Sequence, residues 1–235
     1  MIKIDDMIKK RNFVFILLSI LLLLCIGIGI TYAYMGSAIG EMNNVFTPSE
    51  NIRAKLREPN WDADEGLKMV PGKTVNKDPL IVNTGQVDEY AAIRLTFQDK
   101  NETASLSKAD LIKLLNLLEI TWNSNWVLCE GSMVKDGTGK ITDIVQPLIF
   151  YYNKVLTPGA VSDPIFSSVR VKTGTEGLIE ADLRWLQGIK IVNGVIVQDT
   201  AGLGGFYIKA EGVAIQAQGY TSVASAASDL KALFP

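Results

Sequence analysis

Short stretches that alternate between apolar and polar residues recur along this chain, separated by turn-forming residues at intervals of about 8–12 residues. A period of two is the pattern of a β-strand with one buried face. The predicted strands are Asn51–Glu58, Pro79–Thr84, Glu89–Gln98, Glu119–Trp122, Trp126–Glu130, Ile141–Tyr152, Ile165–Lys172, Ile189–Val192, Val195–Val197 and Phe206–Gln218. We therefore predict a mainly β fold, a jelly-roll-like β-sandwich with one or two short helices.

Two of these strands have a clear apolar face. Leu80 and Val82 share one face of their strand, and the next strand presents a second set on one face, namely Ile93, Leu95 and Phe97. Turns are predicted at Asn83–Gly85, Asp136–Gly139, Thr157–Gly159 and Asn193–Gly194. The Asn193-Gly194 pair, between two short aliphatic runs, is the strongest hairpin signal in the chain.

Helical periodicity is limited to two segments. Ser107 is predicted to cap the first helix with Asp110 as its capping-box partner, and a leucine stripe follows at Leu111, Leu114, Leu115 and Leu118. Ala224–Leu233 is predicted as a short terminal helix. The stretch from Glu58 to Thr74 contains two prolines and an acidic cluster, so we expect a loop there.

The N-terminus has the pattern of an export signal. A basic start is followed by an apolar run from Phe13 to Ile30 and by small residues at the positions that a signal peptidase reads, which predicts cleavage between Ala33 and Tyr34. The alternative is an uncleaved signal or transmembrane helix, because the run approaches the length that spans a bilayer. The expected organisation is a signal peptide at 1–33, a mature N-terminal segment at 34–50 and a β-sandwich domain at 51–235.

Charge and cysteine content narrow the functional classes. Removal of residues 1–33 leaves 19 basic and 23 acidic residues, a net charge of −4. This balance argues against nucleic acid as a partner, which would need a basic patch. Cys129 is the single cysteine left after cleavage, because Cys25 lies in the signal segment, so no disulfide can form within the mature chain.

The 235 residues include no histidine. Serine and cysteine triads, H-E-x-x-H zinc sites and facial-triad iron sites all require imidazole. A zinc site would need an almost entirely carboxylate shell. We therefore predict no catalytic residues, no metal site and no cofactor, and expect that the protein is not an enzyme.

Three short motifs have a functional and a plain interpretation. Gly72-Lys73-Thr74 resembles part of a P-loop but lacks a correctly spaced partner glycine and a following helix, so we interpret it as a turn. Ser105–Lys108 matches S-x-x-K and Lys172–Gly174 matches K-T-G, two elements of a penicillin-binding site. The middle element of such a site is missing between them. We therefore interpret Ser105–Lys108 as a helix cap and Lys172–Gly174 as the end of a strand.

An acidic cluster lies in the Glu58–Thr74 loop. Its members, Asn60, Asp62, Asp64 and Glu65, offer the oxygen ligands that calcium prefers. The EF-hand template fails because Glu65 stands at its glycine position and Pro71 at its final bidentate position. The interpretations left are a solvated acidic loop and adventitious calcium binding.

An ordered set of short segments resembles a known family. The signal segment ending at Ile30–Tyr34 is similar to those processed by the specialised signal peptidase of biofilm operons in Gram-positive bacteria. The mature chain resembles the TasA/camelysin family at Asn44–Thr47, Ile52–Glu58, Pro59–Trp61, Pro71–Pro79, Val82–Gly85, Tyr90, Ala91, Arg94, Tyr152–Gly159, Pro164–Phe166 and Ala214–Ala217. The resemblance is collinear over most of the mature chain. The start Tyr34–Ser37 and the insert at Ser105–Leu118 depart from it.

The resemblance implies a jelly-roll sandwich that is secreted to the cell surface or extracellular matrix and assembles into biofilm-matrix fibres. Its expected partners are further copies of itself, joined head to tail, and other matrix components, with membrane contact only through the signal segment before cleavage. Some relatives are classed as metallopeptidases, so a camelysin-like cell-surface metalloendopeptidase is the alternative function. A monomeric surface adhesin is a third possibility.

The segment released by processing, Tyr34–Phe46, is the expected assembly element. An open sandwich has edge strands that another chain can complete. The small residues Gly36, Ala38 and Gly40 suit a narrow groove, and Met42 and Phe46 fall on the same face of an extended strand. A disordered leader is the alternative interpretation of this segment.

Overall fold

A computed structural model describes residues 52–66 and 69–235. Within them the fold is mainly β, as predicted, with four α-helices and a 3₁₀ turn. The strands are β1 (Ala54–Arg57), β2 (Thr74–Asn76), β3 (Leu80–Asn83), β4 (Glu89–Asp99), β5 (Leu118–Trp122), β6 (Trp126–Lys135), β7 (Ile141–Tyr152), β8 (Phe166–Val171), β9 (Ile189–Val192), β10 (Val195–Gln198) and β11 (Phe206–Gln216). The helices are α1 (Ala63–Gly66), α2 (Lys108–Leu117), α3 (Glu180–Gln187) and α4 (Val223–Ala232), and the 3₁₀ turn is Gly174–Glu176.

The strands form antiparallel sheets. The largest has four strands in the order β11-β4-β7-β6, and a second has three in the order β2-β8-β5. The strand pairs β1-β3 and β9-β10 form two further sheets. The longest uninterrupted pairing joins β4 and β11 over all eleven residues, from Glu89 opposite Gln216 to Asp99 opposite Phe206.

Apolar clusters pack on both faces of the four-stranded sheet. On one face, Ile93, Leu95 and Phe97 are fully buried in a core to which α2 and the three-stranded sheet also contribute. This confirms the predicted apolar face of β4. On the other face, Tyr90 and Ala92 pack in a second cluster that α4 covers. The alternation along β4 therefore separates two apolar sets, because successive side chains of a strand point to opposite sides.

The predicted cap of α2 is confirmed. The Ser107 hydroxyl oxygen accepts a hydrogen bond from the Asp110 N–H at 3.1 Å and donates to the Asp110 carboxylate at 2.7 Å. Leu111, Leu114 and Leu115 are buried, as the leucine stripe predicted; Leu118, its predicted last member, is buried but begins β5 instead of lying in the helix. A buried leucine stripe stabilises a ten-residue helix more than helix propensity does, since helices of this length are marginal alone.

Several local predictions need correction. The Glu58–Thr74 segment, predicted as a loop, contains the four-residue helix α1, and Thr74 begins β2. On β3, Ile81 and Asn83 are fully buried; Leu80 is buried as predicted, whereas Val82 is only half-buried. β6 extends to Lys135 instead of ending at Glu130, and α3 was not predicted.

The predicted signal segment at 1–33 and the mature segment at 34–50 lie outside the described residues. Within the ranges 52–66 and 69–235, no helix combines the length and apolar character needed to cross a bilayer.

Candidate assembly site

Two consecutive strands, β5 and β6, separate into different sheets. Asn123–Asn125 joins them, and a connection of this length normally produces a hydrogen-bonded hairpin. Here the Asn123 N–H donates to the Ile165 carbonyl at 2.9 Å, which directs the chain away from hairpin geometry. Among the described strands, β5 pairs with β8 alone and β6 with β7 alone. Each therefore has one edge without a described ladder partner.

A cleft opens between these two edges, and we call it the β5–β6 cleft. Its apolar lining residues are Leu115, Leu118, Ile120, Trp122, Met133 and Ile141. Its polar lining residues are Asn116, Glu119, Lys135 and Lys172. Apolar walls beside unpaired strand edges favour an extended peptide, which can add backbone hydrogen bonds to the edge and place alternate side chains in the groove.

Aromatic packing holds the wall of the cleft in place. The Trp122 ring stacks on Phe150, with 5.3 Å between ring centroids and 16° between ring planes. The same indole meets Phe166 edge to face at 5.4 Å. Phe150 belongs to the four-stranded sheet and Phe166 to the three-stranded sheet, so Trp122 ties the two sheets together beside the cleft.

Glu119 and Lys172 at the cleft bond to other groups of the chain, whereas Lys135 has no ion pair among the described residues. Arg170 forms hydrogen-bonded ion pairs with both Glu119 and Glu176, and the Lys172 ammonium donates to the Asn116 carbonyl at 2.8 Å. The hydrogen bonds from Arg170, aided by those from Thr173, lower the pKa of Glu176 to about 2. The same carboxylates raise the pKa of Arg170. This pairing suits an occupant with few charges.

Other strand edges are also open among the described residues. β11 pairs with β4 alone, and β2 pairs with β8 alone. β2 has only three residues, which gives an added strand few partners. β11 is longer, but part of it packs against β1, since a Cβ atom at Gly212 would lie 3.4 Å from the Leu56 Cβ. The β5–β6 cleft is therefore the best candidate acceptor.

The residues predicted to act in processing and assembly lie outside the described ranges. They are Ala33, Tyr34, Gly36, Ala38, Gly40, Met42 and Phe46. Their predicted roles stay predictions.

The Gly72-Lys73-Thr74 motif forms a turn, as interpreted from the sequence. Gly72 has φ +80°, and the Lys73 N–H donates to the Val70 carbonyl at 3.0 Å. The Lys73 ammonium lies 3.4 Å from the Glu65 carboxylate. The segment leads directly into β2 rather than into a helix.

The two penicillin-binding-like motifs lie at opposite ends of α2. Ser107 caps the N-terminal end, whereas the Lys172 ammonium bonds to Asn116 at the C-terminal end. A ten-residue helix is about 15 Å long. The structure therefore does not bring these motifs together.

Residues of the acidic cluster bind neighbouring groups of the protein. The Asn60 side chain donates to Asp78 at 2.8 Å, and the Asp62 carboxylate accepts from the Asp64 N–H at 2.8 Å. Glu65 pairs with Lys73. Within residues 52–66 and 69–235, no group of three or more acidic or cysteine side chains is arranged to hold a metal ion.

Cys129 is half-buried in β6, beside the cluster that α4 covers. Its Sγ donates to the Ile149 carbonyl at 3.3 Å. Burial, reinforced by Glu130, raises the pKa of this thiol. A raised pKa lowers the thiolate fraction, so this cysteine is poorly suited to act as a nucleophile.

Sequence reasoning missed the β5–β6 cleft. The two strands were predicted, and the Asn-Ser-Asn connection between them gave no indication that they join different sheets.

No protein-family model, curated protein or solved structure matched this chain.

Proposed function

We propose that this chain is a secreted cell-surface structural protein that assembles into extracellular matrix fibres. The observation that supports the proposal best is the β5–β6 cleft, in which two strand edges without described partners flank apolar walls. Such edges favour pairing with another chain unless they are covered. Self-assembly by strand addition uses this feature directly.

The proposed occupant is the segment Tyr34–Phe46 of a neighbouring copy. It carries one charged residue, Glu41, which suits a cleft where Glu119 is already paired with Arg170 and Lys135 has no ion pair among the described residues. In an extended conformation its 13 residues reach about 43 Å, which exceeds the length of the five-residue β5. Gly36, Ala38 and Gly40 then share a face that can approach the cleft closely.

Head-to-tail addition explains why the product would be a fibre. A segment of one copy that fills a cleft on the next forms a heterologous contact, and a contact that does not close into a ring propagates. We further propose that the four-stranded and three-stranded sheets are the two layers of a jelly-roll-like sandwich. Both sheets contribute side chains to the same core, which supports this arrangement.

Processing is part of the proposal, because cleavage after Ala33 would free the segment for exchange. Ala33→Arg places a long charged side chain where the peptidase requires a small one, so the precursor should stay with the membrane. N-terminal sequencing of secreted wild-type protein should begin at Tyr34. Secreted protein that begins at Met1 would contradict this step.

Assembly is tested with a chain that begins at Val45. It should have the same β content by circular dichroism yet remain monomeric, and a synthetic Tyr34–Asn44 peptide should bind to it. In hydrogen exchange, the peptide should protect amides of β5 and β6 and leave β11 unchanged. The matched control is the same peptide with Met42→Lys, which should bind weakly.

Two results would count against the proposal. Filaments from the shortened chain would show that residues 34–44 are not the donor. Protection confined to β11 would show that the acceptor edge is a different one.

A further inference from the structure

The β9-β10 hairpin projects aliphatic side chains into solvent. Val192 lies opposite Val195 and Ile191 opposite Ile196, so each face of the hairpin carries a β-branched pair. We define the hairpin patch as the exposed residues Ile191, Val192, Val195, Ile196 and Val197. Ile196 is 66% exposed and Val195 is 61% exposed, although burial of such side chains is normally favourable.

The hairpin is firmly held at its base. The Asp199 N–H donates to the Gly188 carbonyl at 2.7 Å, and the Leu203 N–H donates to the Trp185 carbonyl at the same distance. A Cβ atom at Gly188 would lie 2.8 Å from the Gly204 Cα, so the chain segments pack too closely for any side chain there. Trp185 in turn packs against the main core. The contacts at the base of the hairpin therefore hold the hairpin patch in its exposed position.

Charge and composition indicate which partner fits this patch. Lys190 is the one charged residue between Ile189 and Gln198, and its ammonium lies 3.4 Å from the Asp199 carboxylate. A segment that binds a lipid surface normally carries several lysines or arginines, with tryptophan or tyrosine at the interface. The hairpin has neither feature. A lipid surface is therefore disfavoured.

The sequence of the hairpin suits contact with an identical hairpin. Ile189–Gln198 is rich in β-branched residues, has little charge and contains no proline. These properties are typical of segments whose copies interdigitate in dry sheet-to-sheet contacts. We propose that the hairpin patch packs against the hairpin patch of a second copy and forms the lateral contact between neighbouring fibres. This inference rests on the proposed function, because it supposes that fibres form.

The size of the patch explains why this contact would act laterally. Five aliphatic side chains form a patch of roughly a few hundred Å², whereas stable interfaces bury about 1,200–2,000 Å² in total. One hairpin pair should therefore hold two free chains together only weakly, at high protein concentration. In a fibre the same contact repeats at every subunit, and the effective concentration of the second and later contacts is high.

The test compares three lysine variants of the secreted chain. Val195→Lys and Ile196→Lys each place a charge on one face of the hairpin patch, and Val70→Lys is the matched control because Val70 is a loop residue that is 54% exposed. All three should keep the wild-type melting temperature. Electron microscopy should show bundled fibres for the wild type and Val70→Lys. At least one of the two hairpin variants should instead form single fibres, which no longer sediment at low centrifugation speed.

The outcomes separate this inference from the proposed function. Bundles of wild-type width from both hairpin variants overturn the lateral contact and leave fibre assembly standing. If the wild type forms no fibres, weak concentration-dependent self-association in analytical ultracentrifugation that Val195→Lys or Ile196→Lys abolishes still supports hairpin pairing. The absence of any self-association overturns it. The last comparison measures binding to vesicles of phosphatidylcholine and phosphatidylglycerol. If the hairpin variants lose vesicle binding but keep wild-type self-association, the patch binds a membrane and the inference is overturned.

Discussion

Gly131 in β6 allows a quantitative test of how the wall of the β5–β6 cleft is built. Its φ is +80°, and the β6–β7 pairing shifts register across it, between Glu130 and Ser132. A Cβ atom there would lie 2.5 Å from the Val145 carbonyl oxygen and 2.6 Å from that of Pro147. Both contacts are to the backbone of β7, so neither can be relieved by a change of side-chain rotamer.

Gly131→Ala should destabilise the protein in two ways. The left-handed backbone conformation costs an L-residue about 1–2 kcal/mol, and forcing a methyl group into packed backbone costs about 1–3 kcal/mol. The expected loss in the free energy of unfolding is therefore about 2–5 kcal/mol. In a domain of this size each kcal/mol lowers the melting temperature by about 2–4 °C, so the fall should be about 4–20 °C.

Two other glycines separate the two contributions. Gly139 has φ +84° and nothing within 4 Å of an added Cβ, so Gly139→Ala should lose the conformational part alone. Gly137 also has open space and an ordinary φ, so Gly137→Ala should change stability by less than about 0.5 kcal/mol. Urea unfolding followed by tryptophan fluorescence measures all three. Equal losses for Gly131→Ala and Gly139→Ala would refute the argument from close packing.

Three further predictions concern ionisation, helix capping and metal content. Burial raises the pKa of Glu89, whose Oε1 accepts from the Arg53 N–H at 2.8 Å and whose Oε2 has no hydrogen-bond partner among the described residues. The free energy of unfolding of the wild type should fall, relative to that of Glu89→Gln, as pH rises from about 4.5 through the raised pKa, because the unfolded chain releases this proton first. Parallel pH profiles of the two proteins would contradict this. Ser107→Ala should cost about 1 kcal/mol in chemical unfolding through loss of the α2 cap, and Ser105→Ala is the control expected to cost much less. Purified secreted protein should contain no stoichiometric zinc by mass spectrometry and show no chelator-sensitive proteolysis, because it lacks histidine; zinc that co-purifies with activity would favour the endopeptidase alternative.

Elements governed by local chemistry were predictable from the sequence. The β9-β10 hairpin follows from Asn193-Gly194, since both residues adopt the positive φ that this turn requires. The bounds of β7, Ile141–Tyr152, agree with the prediction, and α2 begins immediately after its predicted cap. In each case the signal lies within a few residues of the element that it specifies.

Weak or short local signals led to the errors. The residue before α3 is Ile179, which has no side-chain oxygen to cap the helix. Its position instead depends on packing of Trp185 and Leu186 against the core. β2 has three residues, too few to show a period of two, and is held by its pairing with β8.

The sequence by itself determined the mainly β class, most strand and turn positions, the α2 helix and the absence of imidazole chemistry, because each depends on nearby residues or on composition. Only the tertiary structure decided which strand edges stay open and where apolar side chains reach solvent. The divergence of β5 from β6 depends on pairing with β8 and β7, strands that lie far along the chain. Likewise, Val195 and Val169 are the same residue type in strands, yet Val195 is exposed and Val169 is buried. Burial depends on what the rest of the chain packs against a strand, and no local pattern contains that information.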